Sequence, residues 1–129
     1  LPGLRLPVGM ELLRTHVCYL PMVRKLRRRR IPIKGMAHIT GGGLVDNLPR
    51  ILPDGTRAII DTKSWSIPSL FKTLRDRGAM GDAEAYQVFN MGIGFVVITD
   101  ARNAKRAIAA TGGRRIGSVE RGPNGVALI

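Results

Sequence analysis

The chain has one cysteine, Cys18, so no intrachain disulfide can form and the expected home is cytosolic. No apolar run reaches the ~20 residues that a bilayer-spanning helix needs. The stretch from Leu1 to Arg14 carries two arginines and one acid but no continuous apolar segment, which argues against a secretory signal. It opens on Leu1 rather than Met, as a processed product, a cloned domain or a fragment would. There are only two histidines, His16 and His38. They are too few to build a metal site without help, and Cys18 adds one soft ligand at poor spacing, so no metal ligands are assigned. Aromatic residues are also few, and none falls between Arg24 and Lys34. Neither an internal repeat nor a low-complexity linker divides the chain.

What is present fits one domain. A chain of 129 residues buries roughly two-thirds of its unfolded surface. Hydrophobic residues make up 44% and charged residues 23%, near the average for a soluble globular protein. The charge is lopsided: 21 Lys and Arg face nine Asp and Glu, for a net +12. Such a field draws anions of every kind, including nucleic acid, phosphorylated metabolites and acidic lipid, without choosing among them.

Residues 1–34 read as a lead-in and basic segment, and residues 35–129 as the core. Two prolines and two glycines make Leu1–Gly9 an extended approach. Pro21 suits the opening of a helix whose apolar face is Met22, Val23 and Leu26, with Arg24, Lys25 and Arg27 to Arg30 in water. Ile31-Pro32 should end it. A strand over 35–40 meets three glycines, Leu44–Ile51 forms a short helix, and Asp54-Gly55 turns into a strand over 57–61. Ile67, Leu70, Phe71 and Leu74 recur at helical spacing, predicting a helix over 66–78 with Gly78 in the left-handed terminal position. Asp82 should cap a second helix reaching Phe89. The apolar run Gly94–Thr99 suits a strand buried on both faces. Asp100 should cap a third helix that turns Ala101, Ala104 and Ile108 inward and stops at Gly112. Ile116–Val119 and Val126–Ile129 are two last strands around the turn at 122–125. The class is α/β or α+β, with a mixed, mainly antiparallel sheet covered by helices. Trp65, Phe71 and Cys18 are assigned to the core.

Two segments can carry chemistry. In the first, Gly41, Gly42 and Gly43 let the backbone approach a ligand and turn N–H groups toward an anion. His38 and Thr40 flank them as hydrogen-bond donors, and Arg50 supplies charge. A plain strand-to-helix turn beside a satisfied histidine explains the same residues equally well. In the second, Gly92 and Gly94 permit close approach beside Asn90, which offers donors and acceptors. A pair of packing glycines is the simpler reading there.

The string His38-Ile39-Thr40-Gly41-Gly42-Gly43, followed by Asn47-Leu48-Pro49-Arg50 and Leu52-Pro53, closely resembles the aminoimidazole ribonucleotide synthetase family, the phosphoribosylformylglycinamidine cyclo-ligases. Ser64-Trp65 with Ile67-Pro68, Phe89-Asn90-Met91-Gly92-Ile93-Gly94 and Ile116-Gly117 match further family motifs in order, from about Leu12 onward. The resemblance implies the C-terminal, cleft-closing domain of a two-domain ATP-dependent ligase of purine biosynthesis. In that reaction the formyl oxygen of formylglycinamidine ribonucleotide is activated by the ATP γ-phosphate, and an internal nitrogen closes the ring. It also implies substrate or phosphate binding by His38, Thr40, Gly41, Gly42, Gly43, Asn47, Arg50 and Asn90, with no residue assigned to catalysis itself. ATP and Mg²⁺ belong to the complete enzyme and are not expected to be held tightly by this part. The implied partners are the phosphorylated ribonucleotide, the N-terminal domain and a second copy in a homodimer, with no membrane or nucleic acid.

The chain departs from the family pattern in two places. The N-terminal domain is not in it, and Asp46, Asp54, Asp61, Asp76, Asp82 and Asp100 are scattered rather than paired for Mg²⁺. Where the family carries Pro-Thr-Arg before Ile-Tyr, this chain reads Thr15-His16-Val17 before Cys18 and keeps only Tyr19. Turnover by this chain alone is therefore not expected. Two other readings compete: a polyanion or RNA module built on Arg24–Lys34, which lacks interleaved aromatics, and the C-terminal half of a relative such as the amidine synthetase or selenophosphate synthetase.

Overall fold

The computed structural model describes Leu4 and residues 6–129. Much of the extended approach expected over Leu1–Gly9 lies outside the described residues. Val8 and Gly9, within that stretch, instead begin a one-turn helix, α1 (Val8–Leu12).

Helix α2 (Leu20–Arg28) begins with proline in its first turn and buries Leu26, as the pattern requires. Its end differs from expectation. Arg30 adopts a left-handed conformation at φ 51°, Arg30 N–H donates to Arg27 O, and Ile31 N–H reaches back to Leu26 O at 3.0 Å. This is a Schellman stop, with Leu26 and Ile31 in apolar contact beneath it. Pro32 follows the stop rather than causing it.

Two sheets form. Strand β1 (Gly35–His38) pairs antiparallel with β3 (Phe95–Ile98), setting His38 opposite Phe95. Strand β2 (Thr56–Ile60) is the centre of a second sheet, antiparallel to β4 (Gly117–Arg121) and parallel to β5 (Gly125–Leu128). The last two strands are therefore not a hairpin. The turn between them crosses the start of β2, where Gly122 N–H bonds Gly55 O, and β2 is inserted between them.

Helices cover these sheets. Helix α3 (Gly43–Asn47) runs into a 3₁₀ turn at Pro49–Ile51. Helix α4 (Ser69–Arg77) packs half-buried Phe71 against the main core, as Ile67 does just before it, and leaves Leu70 and Leu74 half-buried. Its left-handed residue is Ala79, at φ 49°, not Gly78, which stays right-handed; the helix runs one residue further than the glycine suggests. Asp82 does not cap helix α5 (Asp82–Val88). Gly81 precedes it, and the Asp82 carboxylate accepts from Arg75 at 2.9 Å. Hydrogen bonding and charge from Asp76, aided by Asp82, hold the Arg75 pKa above its ordinary value.

Strand β3 is not buried on both faces. Val96 is buried, while Phe95, Val97 and Ile98 are half-buried, because β1 is its one hydrogen-bonded neighbour among the described residues. Helix α6 (Ala104–Thr111) is entered through a 3₁₀ turn, Ala101–Asn103, with no side-chain cap from Asp100. It turns Ala107 and Ala110 inward and leaves Ala101 and Ile108 exposed, since the 3₁₀ turn rotates the helix relative to one uniform period. Gly112 ends it at φ 72°, as expected.

The main core joins both sheets through Ile39, Leu44, Leu48, Ile60, Trp65 and Met91. A smaller cluster of Leu26, Ile31 and Ala110 ties α2 to α6. Between them an apolar groove of 540 Å³ opens along β3, β4, α2 and α6. Cys18, expected inside, is exposed.

Candidate functional site

The end of β1 delivers His38 and Thr40 to the surface, and the glycine triplet turns the chain into α3. The turn closes through Gly43 N–H to Thr40 O at 3.0 Å. Gly42 and Gly43 both take positive φ, 93° and 55°. The three glycines do different jobs. A Cβ on Gly43 would overlap Tyr86 O and stand 2.7 Å from Phe89 O, so this glycine lets α3 touch α5. A Cβ on Gly42 would meet Asp46 Cβ at 2.8 Å. A Cβ on Gly41 would meet nothing within 4 Å, and Gly41 is exposed. Gly41 is thus the triplet's open face.

Asn47 is buried at 7% exposure, and its amide nitrogen donates to both Gly41 O at 3.1 Å and Gly43 O at 2.8 Å. Both amide hydrogens are used in pinning the loop's carbonyls inward. Tyr86 of α5 is buried as well; desolvation raises its phenol pKa, and hydrogen bonding with Thr62 partly offsets the rise. Arg50 is exposed on the 3₁₀ turn after α3. With five residues, α3 is too short to add much dipole to the loop.

The second segment braces the first. Asn90 Oδ1 accepts from Gly92 N–H at 2.9 Å, turning the chain after α5. Met91 is fully buried at φ 49°, and its carbonyl accepts from Trp65 Nε1 at 2.9 Å. Gly94 O then accepts from Ile39 N–H, which prolongs the β1–β3 pairing toward the glycine loop. A Cβ on Gly94 would overlap the Tyr19 hydroxyl, so this glycine makes room for an aromatic side chain.

That side chain belongs to a cluster that the motifs did not reveal. Tyr19 stacks on Phe95 with centroids 5.2 Å apart, His38 lies 6.1 Å from Tyr19, and His16 lies 5.2 Å from His38. His16, Tyr19, His38 and Phe95 thus form a ring-lined surface beside the glycine loop. The available signal was Tyr19, retained inside an otherwise divergent stretch. Among the described residues, no group of three or more His, Cys, Asp or Glu converges as a cation cage.

A different face is cationic. Arg24, Lys25 and Arg27 to Arg30 are all exposed on and after α2; Arg102 in the 3₁₀ turn before α6 and Lys105 and Arg106 on α6 add to them. Arg106 donates to Arg29 O at 3.1 Å, drawing like charges together. No helix among the described residues is long and apolar enough to cross a membrane.

Comparison with known proteins places these features in context. The family described as "AIR synthase related protein, C-terminal domain" matches residues 6–129. The phosphoribosylformylglycinamidine cyclo-ligase of Burkholderia ambifaria is 53% identical over 81 residues, 63% of this chain and 23% of that protein. Its counterpart in Paraburkholderia phymatum is 43% identical over 118 residues, 88% of this chain and 33% of that protein. The chain therefore spans about a quarter to a third of the length of these relatives.

Proposed function

The chain belongs to the family of AIR synthase related protein C-terminal domains, and from that membership we propose that it is the C-terminal part of a phosphoribosylformylglycinamidine cyclo-ligase. It acts, in this reading, as a single cleft-closing unit of a cytoplasmic, homodimeric enzyme. Further polypeptide supplies the nucleotide domain. The groove along β3 and β4 and the exposed Leu12, Leu13, Val17 and Leu20 support the idea that apolar surface here packs against that polypeptide.

The observation that carries the reading is the division of labour in the glycine loop. Gly43 packs and Asn47 pins carbonyls inward, which leaves the exposed Gly41 edge as the face a phosphoryl group would meet. Thr40 offers a hydroxyl there, Arg50 supplies positive charge, and His38 flanks the entrance. Asn47 and Asn90 hold the backbone that presents this edge. Phosphoryl transfer is governed by positioning and charge neutralisation. ATP with Mg²⁺ supplies the activated phosphoryl group in the complete enzyme. The part proposed for this chain is to bind and orient the phosphorylated substrate.

The test is a chimera. The matching segment of the Paraburkholderia cyclo-ligase is replaced by this chain, and conversion of formylglycinamidine ribonucleotide to aminoimidazole ribonucleotide is assayed. Activity that falls when Gly41 is changed to Val supports the reading. A folded, dimeric chimera without activity refutes it. A second reading, docking of a polyanion, rests on the cationic face of α2 and α6. It requires RNA binding whose affinity falls steeply with salt.

A further inference from the structure

We propose that His16 and His38 form a two-histidine site for a borderline divalent cation, Zn²⁺ above all. The proposal goes beyond the cyclo-ligase reading and does not depend on it. His16 stands where that family carries a different residue, and the pair arises only because the segment before α2 folds back over β1.

The geometry is specific. The two Nε2 atoms lie 3.4 Å apart, with ring centroids separated by 5.2 Å and planes at 87°. A Zn²⁺ ion about 2.05 Å from each nitrogen at the tetrahedral angle requires the nitrogens about 3.3 Å apart. Each ring centre then lies about 3.2 Å from the ion, which puts the centroids about 5.2 Å apart. Both observed distances fit one ion between the rings. A linear N–H···N hydrogen bond with the rings end to end would hold the centroids further apart for the same nitrogen separation.

The tautomer also fits. His16 Nδ1 lies 2.9 Å from Val17 O. A carbonyl only accepts, so Nδ1 carries a proton, and Nε2 is the nitrogen left to face His38 and offer a lone pair to an ion. A backbone carbonyl on the far nitrogen is the usual outer support of a metal-binding histidine. Both rings are exposed, so the ion reaches them directly, and water completes a four-coordinate shell. Cys18, two residues from His16, does not join a three-ligand group and is excluded from the site.

Zinc chloride titrated into the chain by calorimetry should report one ion per chain. Cobalt in its place should give the intense visible bands of four-coordinate Co²⁺. His16→Ala and His38→Ala should each weaken binding about ten-fold or more, with unchanged circular dichroism because both side chains are exposed. Cys18→Ser should bind as the parent does. Should either ring variant fail to fold, His16→Gln and His38→Gln give the same reading. Absence of stoichiometric uptake by the parent overturns the proposal. So does uptake that survives removal of either ring, or uptake that requires Cys18.

Discussion

Gly43 and Gly41 sit two residues apart in one loop, yet the structure assigns them opposite sensitivities. Gly43→Ala introduces a Cβ that overlaps Tyr86 O and lies 2.7 Å from Phe89 O, at a backbone φ of 55°. Backbone atoms of α5 cannot swing aside as a flexible side chain would, so α3 must separate from α5. Overpacking of this kind costs about 1–3 kcal/mol, and a side chain in the left-handed region costs about 1–2 kcal/mol more. The sum, about 2–5 kcal/mol, lowers the melting temperature by about 7–25 °C for a domain of this size. Gly41→Ala places its Cβ in open space and should leave stability within about 0.5 kcal/mol of the parent. Thermal and urea unfolding followed by circular dichroism measure both. A Gly43→Ala protein as stable as the parent would refute the claim that this glycine is a packing residue. A destabilised Gly41→Ala protein would refute the claim that Gly41 is the open face.

Other consequences are equally direct. Ala79→Gly and Arg30→Gly each relieve a non-glycine residue held at positive φ in a helix stop. Each should raise stability by about 0.5–1 kcal/mol, measured by urea unfolding; a loss of stability would contradict the helix ends described. Asn47→Ala leaves the Gly41 and Gly43 carbonyls without their donor. It should cost about 2–3 kcal/mol, and an effect below about 0.5 kcal/mol would show that the loop does not need its pin. Burial raises the Tyr86 pKa above that of the unfolded chain. The folded state then holds the phenolic proton more tightly, so this contribution is complete below about pH 10 and is lost as pH rises through the folded value. Tyr86→Phe should flatten that alkaline decline, and an unchanged pH profile of stability would exclude the assignment.

The sequence was readable where the signal was local. The spacing of Leu70, Phe71 and Leu74 located α4, the apolar run Phe95–Ile98 located β3, and Gly112 ended α6 in the left-handed conformation expected of it. It was less readable where a distant segment intervened. Turn residues at 122–125 suggest two adjacent strands, and nothing local says that β2 enters between them. Ala79 and Arg30 take the left-handed positions because each helix closes on its own backbone bonds, Met80 N–H to Arg75 O and Ile31 N–H to Leu26 O, rather than at the nearest glycine or proline. Within the site, the motif located the loop. Only the fold separates Gly41, facing out, from Gly43 and the buried Asn47, which hold it. The meeting of His16 and His38 spans 22 residues of chain, beyond the reach of any short motif.

In the proposed function the Thr40–Gly43 edge meets phosphate. Backbone amide NMR shifts recorded while formylglycinamidine ribonucleotide is titrated into the chain test this most directly. Saturable shifts confined to the Thr40, Gly41 and Gly42 amides and their neighbours, weakened by Gly41→Val, are the predicted result. Shifts along Arg24 to Arg30 with none in the glycine loop would contradict it and favour the cationic face as the anion-binding surface.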